Sequence, residues 1–226
     1  GGWVASSTFR ATGINPPEDA TGIIRISSSG NVELDTMYVD SLSNGTAGGS
    51  VLCELANQQL IVGGNNALLC IDPSGKRLWA KAYETWVSGH GLYPATIRSV
   101  TPALDSGFII AGWARDTSYF STAGSYAANI WMAKAAPSNG RPLWTRFFGR
   151  LNSSASEYGY HVSVSKERGY LLAGQYGNGT YLGCTDSSGN QIWSMNSASL
   201  GSYVVSCQTA DSGIAALSGS SLTKYD

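Results

Sequence analysis

A short segment that pairs a glycine turn with a tryptophan recurs along the chain and restricts the folds that the sequence can form. In three copies a glycine lies four residues before a tryptophan: Gly75 and Trp79, Gly140 and Trp144, and Gly189 and Trp193. A fourth copy has Gly30 followed by Leu34 at the tryptophan position. Self-similarity at intervals of tens of residues is typical of solenoids, propellers and related repeat arrays.

A second marker, out of phase with the first, is a short apolar run that is opened by a turn and closed by glycine or serine. Three clear copies span residues 105–112, 167–174 and 211–219, and weaker copies span residues 2–6 and 57–64. Runs of this length and character are typical of strands that are buried on both faces. The two markers therefore bracket one supersecondary unit.

Two further strand candidates lie in each unit, one before the apolar run and one between the run and the glycine turn. Four short strands about every 45 residues is the spacing of a β-propeller blade. No window has a 3.6-residue apolar period long enough for a helix. The sequence therefore predicts an all-β fold, a β-propeller of about five four-stranded blades in a single domain over residues 1–226.

The repeat units span approximately residues 1–40, 50–85, 96–149, 158–196 and 202–226. We expect the first and last blades to be incomplete. The chain opens in the second strand of the first unit and stops after the third strand of the fifth unit.

We expect the recurring residues to be structural. In the turn, the side chain of Asp72, Asn139 or Asp186 can accept hydrogen bonds from the backbone that follows it, while glycine takes a positive φ. The tryptophan then falls on the fourth strand, where its ring can wedge between blades and bury roughly 150 to 250 Å². Blade-stabilising roles are therefore predicted for Gly30, Gly75, Trp79, Gly140, Trp144, Gly189 and Trp193. Sugar stacking is the alternative role of the tryptophans.

The run over residues 158–174, continued by residues 185–193, resembles the blade repeats of secreted and cell-surface β-propeller proteins. Residues 129–134 are similar to the third strand of those repeats. The glycine-to-tryptophan turn also resembles the repeats of quinone-dependent dehydrogenase propellers and, more loosely, the Asp-box turns of sialidases. These resemblances imply the scaffold and an extracellular or cell-surface location more than they imply an activity.

Charge and hydropathy disfavour two classes of partner. Charged residues make up 13% of the chain and the formal net charge is -1, so we expect neither nucleic acid nor membrane insertion. No segment approaches the ~18 apolar residues of a membrane span. Three N-glycosylation sequons, at Asn44, Asn152 and Asn178, lie in Gly- and Ser-rich connections and are candidate sites of modification in an extracellular protein.

The sequence has no recognisable catalytic, cofactor-binding or metal-binding motif. Cys53 and Cys70 fall on the first and third strands of one unit, too far apart for a disulfide. A bridge between Cys184 and Cys207 and free thiols both stay open. The cysteine spacing does not match a zinc site. His90 lies in a loop, and we expect it to be a surface or structural residue.

We therefore expect a non-enzymatic extracellular module without a cofactor, whose partners are further copies of the chain or other surface proteins. The incomplete end blades favour assembly into a filament or surface layer by strand complementation, and membership of a longer chain is the other explanation. A carbohydrate-binding five-bladed lectin, with glycans as partners, is the alternative function. A fragment of a glycosidase-like or quinone-dependent propeller enzyme is a lesser alternative.

Overall fold

The structure, a computed structural model, describes residues 2–10, 19–39, 50–87, 91–115, 127–149, 155–166, 169–197, 204–218 and 221–225. All regular secondary structure in these ranges is β-strand, which confirms the prediction of an all-β fold. Within the same ranges no helix is long and apolar enough to cross a membrane.

The described residues contain twenty strands. The first seven are β1 (Trp3–Arg10), β2 (Asp19–Ile26), β3 (Val32–Val39), β4 (Val51–Glu54), β5 (Leu60–Gly64), β6 (Ala67–Ile71) and β7 (Arg77–Ala82). Two short strands follow, β8 (Glu84–Val87) and β9 (Gly91–Pro94). The remaining strands are β10 (Thr96–Pro102), β11 (Phe108–Arg115), β12 (Ala128–Ala135), β13 (Pro142–Phe148), β14 (Glu157–Val164), β15 (Tyr170–Tyr176), β16 (Gly179–Thr185), β17 (Gln191–Ser197), β18 (Val204–Gln208), β19 (Ile214–Ser218) and β20 (Ser221–Tyr225).

The strands form antiparallel sheets in which each strand pairs with the next one along the chain. Sheet 1 contains β1 to β3, sheet 2 contains β4 to β7, sheet 3 contains β10 to β13, sheet 4 contains β14 to β17, and sheet 5 contains β18 to β20. The strands β8 and β9 form a separate hairpin. A series of three- and four-stranded antiparallel meanders is consistent with a propeller.

A β-bulge recurs at the end of the strand that precedes the glycine turn. This strand is β2 in sheet 1 and the third strand in sheets 2 to 4. The register shifts at Arg25/Ile26 in sheet 1, Cys70/Ile71 in sheet 2, Lys134/Ala135 in sheet 3 and Cys184/Thr185 in sheet 4. A bulge bends the strand and increases its twist. The strand after each turn, which carries the residue at the tryptophan position, therefore starts with a similar bend and twist.

The first strands of consecutive sheets, β4, β10, β14 and β18, lie next to one another in chain order. Hydrogen bonds join them: the Val162 N–H donates to Ser99 Oγ at 3.2 Å, and the Ser163 hydroxyl donates to the Ser206 carbonyl at 3.2 Å. The sheets consequently pack against one another in chain order, with their first strands side by side.

The core lies between consecutive sheets, and it is built mainly from the second and third strands of each unit. Every residue of β5 and β6 is buried, whereas the fourth strand β7 is exposed or half-buried. Four apolar clusters fill the spaces between sheets 1 and 2, 2 and 3, 3 and 4, and 4 and 5. Strands with both faces covered read as continuous apolar runs, and this is why the second marker stands out in the sequence.

The β8–β9 hairpin is an addition that the repeat pattern did not predict. It follows sheet 2 and precedes sheet 3, and buried Tyr83 and Ala95 flank it. The Ala95 N–H donates to the Tyr83 carbonyl at 2.9 Å, and the Tyr83 N–H donates to the Asn66 carbonyl at 2.7 Å. These bonds attach the base of the hairpin to sheet 2.

Candidate functional site

The glycine turns are held by side chains that bond to the backbone following them. In the turn after β6, Asp72 Oδ1 accepts hydrogen bonds from the N–H groups of Ser74 and Lys76, both at 2.9 Å. Asp186 Oδ1 does the same for Ser188 at 2.8 Å and Asn190 at 2.9 Å. The hydrogen bonds hold the pKa of both aspartates below the usual range, the side-chain bonds from Ser74 and Asn190 being the largest causes. These carboxylates therefore shape turns.

The turn glycines also leave space for a large side chain from the preceding sheet. A Cβ atom on Gly140 would lie 2.7 Å from the Trp79 ring, and one on Gly189 would lie 2.8 Å from the Trp144 ring. In the first copy, a Cβ atom on Gly75 would lie 2.6 Å from Leu34, the residue at the tryptophan position. We call this contact, between the residue at the tryptophan position of one sheet and the turn glycine of the next, a junction.

The junction between sheets 2 and 3 shows how the contact is fixed. The Trp79 Nε1–H donates to the Pro137 carbonyl at 2.8 Å, and its ring stacks on Phe108 with centroids 6.0 Å apart. Buried Tyr83, four residues after Trp79, donates its hydroxyl to the Gly140 carbonyl at 2.8 Å. Burial raises the pKa of Tyr83, so this hydroxyl stays a donor. The Trp79 indole and the Tyr83 hydroxyl thus hold the turn of sheet 3 by hydrogen bonds to two of its carbonyl groups.

Two of the predicted blade residues, Trp193 and Gly30, take no part in these three junctions. Trp193 lines a cavity of about 170 Å³ between sheets 4 and 5, together with Leu171, Cys184, Ile214 and Tyr225. No turn glycine in the described part of the chain packs on its ring. The turn glycine of sheet 1, Gly30, has no atom within 4 Å of the place where a Cβ atom would lie. Among the described residues, these two predicted blade residues therefore take no part in a junction.

A groove lined by aromatic rings and arginine lies where β9, β11 and β14 meet. Its volume is about 350 Å³, and Tyr93, Trp113, Arg115 and Tyr158 contribute to its wall. The Arg115 guanidinium lies over the Tyr93 ring at 4.4 Å, and Trp113 meets Tyr158 edge to face at 5.1 Å. Half-buried rings with arginine N–H donors nearby can stack against a flat polar ligand and hydrogen-bond to it.

The sequence repeats gave no indication of this groove, because its residues come from five strands, β9, β10, β11, β12 and β14, and from the segment before β14. Arg98 adds a second stacked cation over Trp113 at 4.7 Å. The aromatic content of 11% does not indicate where rings meet.

All four cysteines are free thiols, so the Cys184–Cys207 bridge that the sequence left open is not formed. Cys53, Cys70 and Cys184 are buried, and Cys207 is exposed. Burial raises the pKa of Cys53 to about 12 and that of Cys70 to about 11. These two thiols are therefore protonated and unreactive at neutral pH.

Burial also lowers the pKa of His161, a half-buried residue of β14. Its Nδ1 accepts a hydrogen bond from the Ser206 N–H at 3.4 Å, which links sheet 4 to sheet 5. Among the described residues, no group of three or more His, Cys, Asp and Glu side chains could hold a metal ion. His90 lies outside the described residues.

Of the three predicted glycosylation residues, Asn178 is exposed in the turn between β15 and β16. Asn44 and Asn152 lie outside the described residues.

Comparison with known proteins bears on the fold. No family model matches the chain, and no curated protein matches its sequence. A protein of unknown function from Bacteroides caccae superposes with a TM-score of 0.57 at 10% identity, over 98% of this chain and 68% of that chain. Quinohemoprotein alcohol dehydrogenase from Comamonas testosteroni, a quinoprotein propeller, superposes with a TM-score of 0.53 at 11% identity. The chain has a propeller-like fold.

The second superposition covers 95% of this chain and 41% of the dehydrogenase, so the chain spans less than half the length of that enzyme. At such identities the likeness concerns the fold alone, because one scaffold carries many unrelated functions.

Proposed function

We propose that the chain is an extracellular, non-enzymatic β-propeller module of about five blades, and that it self-associates into a filament or surface layer by strand complementation. The observation that carries the proposal is the exposed apolar side chains on two edge strands, β1 of sheet 1 and β20 of sheet 5. Within the described residues, β1 pairs on one side with β2, and β20 pairs on one side with β19.

The two edges carry large apolar side chains in contact with water. Trp3 of β1 is 77% exposed and Leu222 of β20 is 73% exposed. An edge strand presents unpaired N–H and C=O groups, which favour pairing with another strand, and apolar side chains strengthen that tendency. Both properties support association with further copies of the chain or with other surface proteins.

Several of the described side chains that are suited to chemistry have structural partners, and this supports an interaction role over catalysis. Asp72 and Asp186 shape turns, and the Cys53 and Cys70 thiols are buried with raised pKa values. His161 joins two sheets through the Ser206 backbone. Catalytic groups usually lie together in a concave site with pKa values matched to a proton transfer.

Light scattering after size-exclusion chromatography tests the proposal. We expect wild-type protein to form species larger than the 23.7 kDa chain, with a mass that rises with concentration. Leu222→Lys places a charge on the β20 edge and should lower the mass at a given concentration. Leu143→Lys is the matched control, because Leu143 is 58% exposed on β13. A monomer at every concentration would contradict the proposal.

Carbohydrate binding is the second candidate function, and the aromatic groove is the observation that favours it. Half-buried Trp113 and Tyr158 offer rings, and Arg115 offers N–H donors. A glycan array should give hits that Trp113→Ala removes and Trp3→Ala retains. An array without hits would exclude this candidate for the glycans displayed.

The proposed extracellular location predicts that the sequons carry glycans. We expect intact-mass spectrometry of protein from its native source to show glycan at one or more of Asn44, Asn152 and Asn178. A mass equal to that of the polypeptide would contradict glycosylation.

A further inference from the structure

The inference concerns the ligand of the aromatic groove, and it rests on the second candidate function, carbohydrate binding. We infer that the groove binds an acidic saccharide. Arg98 and Arg115 receive the carboxylate or sulfate groups of this ligand, while its sugar rings pack on the aromatic side chains. The inference names the class of glycan and predicts one such site in the described part of the chain.

Rings and cations lie side by side in the groove. The Arg115 guanidinium lies over the Tyr93 ring at 4.4 Å, and the Arg98 guanidinium lies over the Trp113 ring at 4.7 Å. Arginine can stack on a ring and present N–H donors to a carboxylate or sulfate at the same time, because its donors are arranged as a planar fork. A ligand in the groove therefore meets apolar ring surface next to donors that bind anions.

Two β-bulges place side chains on Trp113 from two different sheets. The register of β10 shifts at Arg98, and the register of β14 shifts at Tyr160. A bulge changes the direction in which a side chain points. Arg98 lies over the Trp113 ring, and the Tyr160 ring meets it edge to face with centroids 6.0 Å apart. Both bulged side chains therefore meet at one indole, which lines the groove.

The charge of the groove favours a negatively charged ligand. The nine described residues that line it include Arg115 and neither aspartate nor glutamate. Glu157 is next to two lining residues in sequence, but it is 1% exposed and its carboxylate lies against Gly149. Exposed Arg98 adds a second positive charge at the wall. Because the whole chain has a net charge of -1, this positive charge is a local feature that complements an anion.

Single-stranded nucleic acid also combines flat rings with negative charge, but the groove suits it less well. Proteins that bind it present a positively charged groove along the backbone and gain much of their affinity from many phosphate contacts. Two arginines in a chain without net positive charge provide few such contacts. The hydroxyl groups of Thr96 and Ser156 also line the groove and can exchange hydrogen bonds with sugar hydroxyls. These features favour an acidic saccharide.

The arginine and indole pair does not recur in the next sheet. Trp113 follows the glycine that closes the apolar run of β11, and the residue after the corresponding glycine of β15 is Gln175. The bulged residue is Arg98 in sheet 3 and Tyr160 in sheet 4. We therefore expect about one acidic saccharide to bind for each chain, in contrast to a lectin with one site in every blade.

A glycan array that displays acidic glycans beside their neutral counterparts tests the class of ligand. We expect the hits to carry carboxylate or sulfate groups and to weaken as the salt concentration rises, because salt screens the charges. Hits that are all neutral would overturn this inference while carbohydrate binding stands. An array without hits contradicts carbohydrate binding itself. A single-stranded oligonucleotide that binds more tightly than every acidic glycan would also overturn the inference.

Calorimetric titration of the intact chain with the strongest acidic hit tests the role of Arg98. Arg98→Gln should raise the dissociation constant at least about tenfold, as expected for the loss of a charge-assisted hydrogen bond. Arg98→Lys keeps the charge and should bind with intermediate affinity. Arg146→Gln is the matched control and should bind like the wild type, because exposed Arg146 lies over Trp144 at 5.7 Å, outside the groove. Thermal unfolding checks that each variant is folded.

Repeating the titration with the same glycan after its acidic groups are esterified or removed gives the decisive comparison. We expect the neutral form to bind wild-type protein at least about tenfold more weakly and to lose little further affinity with Arg98→Gln. If Arg98→Gln weakens the acidic and neutral forms equally, Arg98 only holds Trp113 in place and the inference is wrong. Equal binding of the acidic glycan by Arg98→Gln and Arg146→Gln would also overturn it.

Discussion

Gly140 has two separate reasons to be glycine, its backbone conformation and its contact with Trp79. Its φ is 68°, and a Cβ atom would lie 2.7 Å from the indole. Gly177 shares only the first reason, since its φ is 56° and its surroundings are open. We therefore predict that Gly140→Ala lowers the free energy of unfolding by about 1 to 2 kcal/mol more than Gly177→Ala.

Urea denaturation of both variants, followed by circular dichroism, measures this difference. Equal losses of stability would show that the backbone conformation alone accounts for the glycine and that the indole can move aside.

Lys134 is a nearly buried cation with one ion-pair partner among the described contacts. Its side chain is 10% exposed, and its Nζ donates to Asp105 Oδ1 at 2.6 Å and to Oδ2 at 2.5 Å. Asp105 is 65% exposed, so solvent screens the pair and reduces its contribution. We predict that Asp105→Asn costs about 1 to 2 kcal/mol of unfolding free energy. Lys134→Met in the Asp105→Asn background should recover part of that loss, because it removes a buried charge.

The same pair predicts a dependence on pH. The hydrogen bond from Lys134 is the largest cause that lowers the pKa of Asp105. A carboxylate with a depressed pKa in the folded state stabilises the protein fully above its unfolded pKa, about 4, and loses that contribution as the pH falls through the folded value. The stability difference between wild type and Asp105→Asn should therefore be constant from pH 5 to 7 and shrink below about pH 4. A difference that grows on acidification would contradict the assignment.

Among the elements, β13 shows most clearly how one strand joins two sheets. Trp144 of β13 is half-buried against the apolar cluster between sheets 3 and 4 and packs on Gly189. We predict that Trp144→Ala costs about 3 kcal/mol of unfolding free energy, near the lower end for an aromatic truncation because the ring is not fully buried. Leu143→Ala, at the adjacent 58% exposed position, should cost less than about 1 kcal/mol.

Chemical denaturation of the two variants provides the test. If Trp144→Ala is as stable as Leu143→Ala, the ring does not carry the junction, and the sugar-stacking role of the tryptophans becomes the better interpretation.

The elements that the sequence predicted well are those with both faces buried. Strands β11 and β15 are continuous apolar runs bounded by glycine, so their sequence alone indicates a buried strand. The hairpin β8–β9 was missed because each strand has four residues and depends on contacts distant in sequence, such as the bond from the Thr85 hydroxyl to the Arg115 carbonyl at 3.0 Å. The aromatic groove was missed for the same reason, since no local pattern brings Tyr93 and Trp113 together.

At the scale of the whole molecule, stability is distributed over contacts between neighbouring sheets. Each apolar cluster lies between one pair of sheets. Repeat proteins built in this way have a stability that is approximately a sum of repeat and interface contributions. The junction between sheets 1 and 2 has Leu34 in place of an indole, and a leucine buries less apolar surface than a tryptophan.

We therefore predict that sheet 1 opens before sheet 3. In native-state hydrogen exchange, the amides of β2 should exchange faster than those of β11, although both strands pair on two sides. The measurement should be made on dilute protein, so that association does not protect sheet 1. Equal protection of the two strands would show that the leucine junction is as strong as the tryptophan junctions.

The leucine at the first junction has a mechanical consequence. A pulling force applied between sheet 1 and sheet 4 would cross the three junctions in series. The Leu34 contact would yield first, so the molecule would extend by releasing one small sheet while the three sheets joined by indole rings kept their shape.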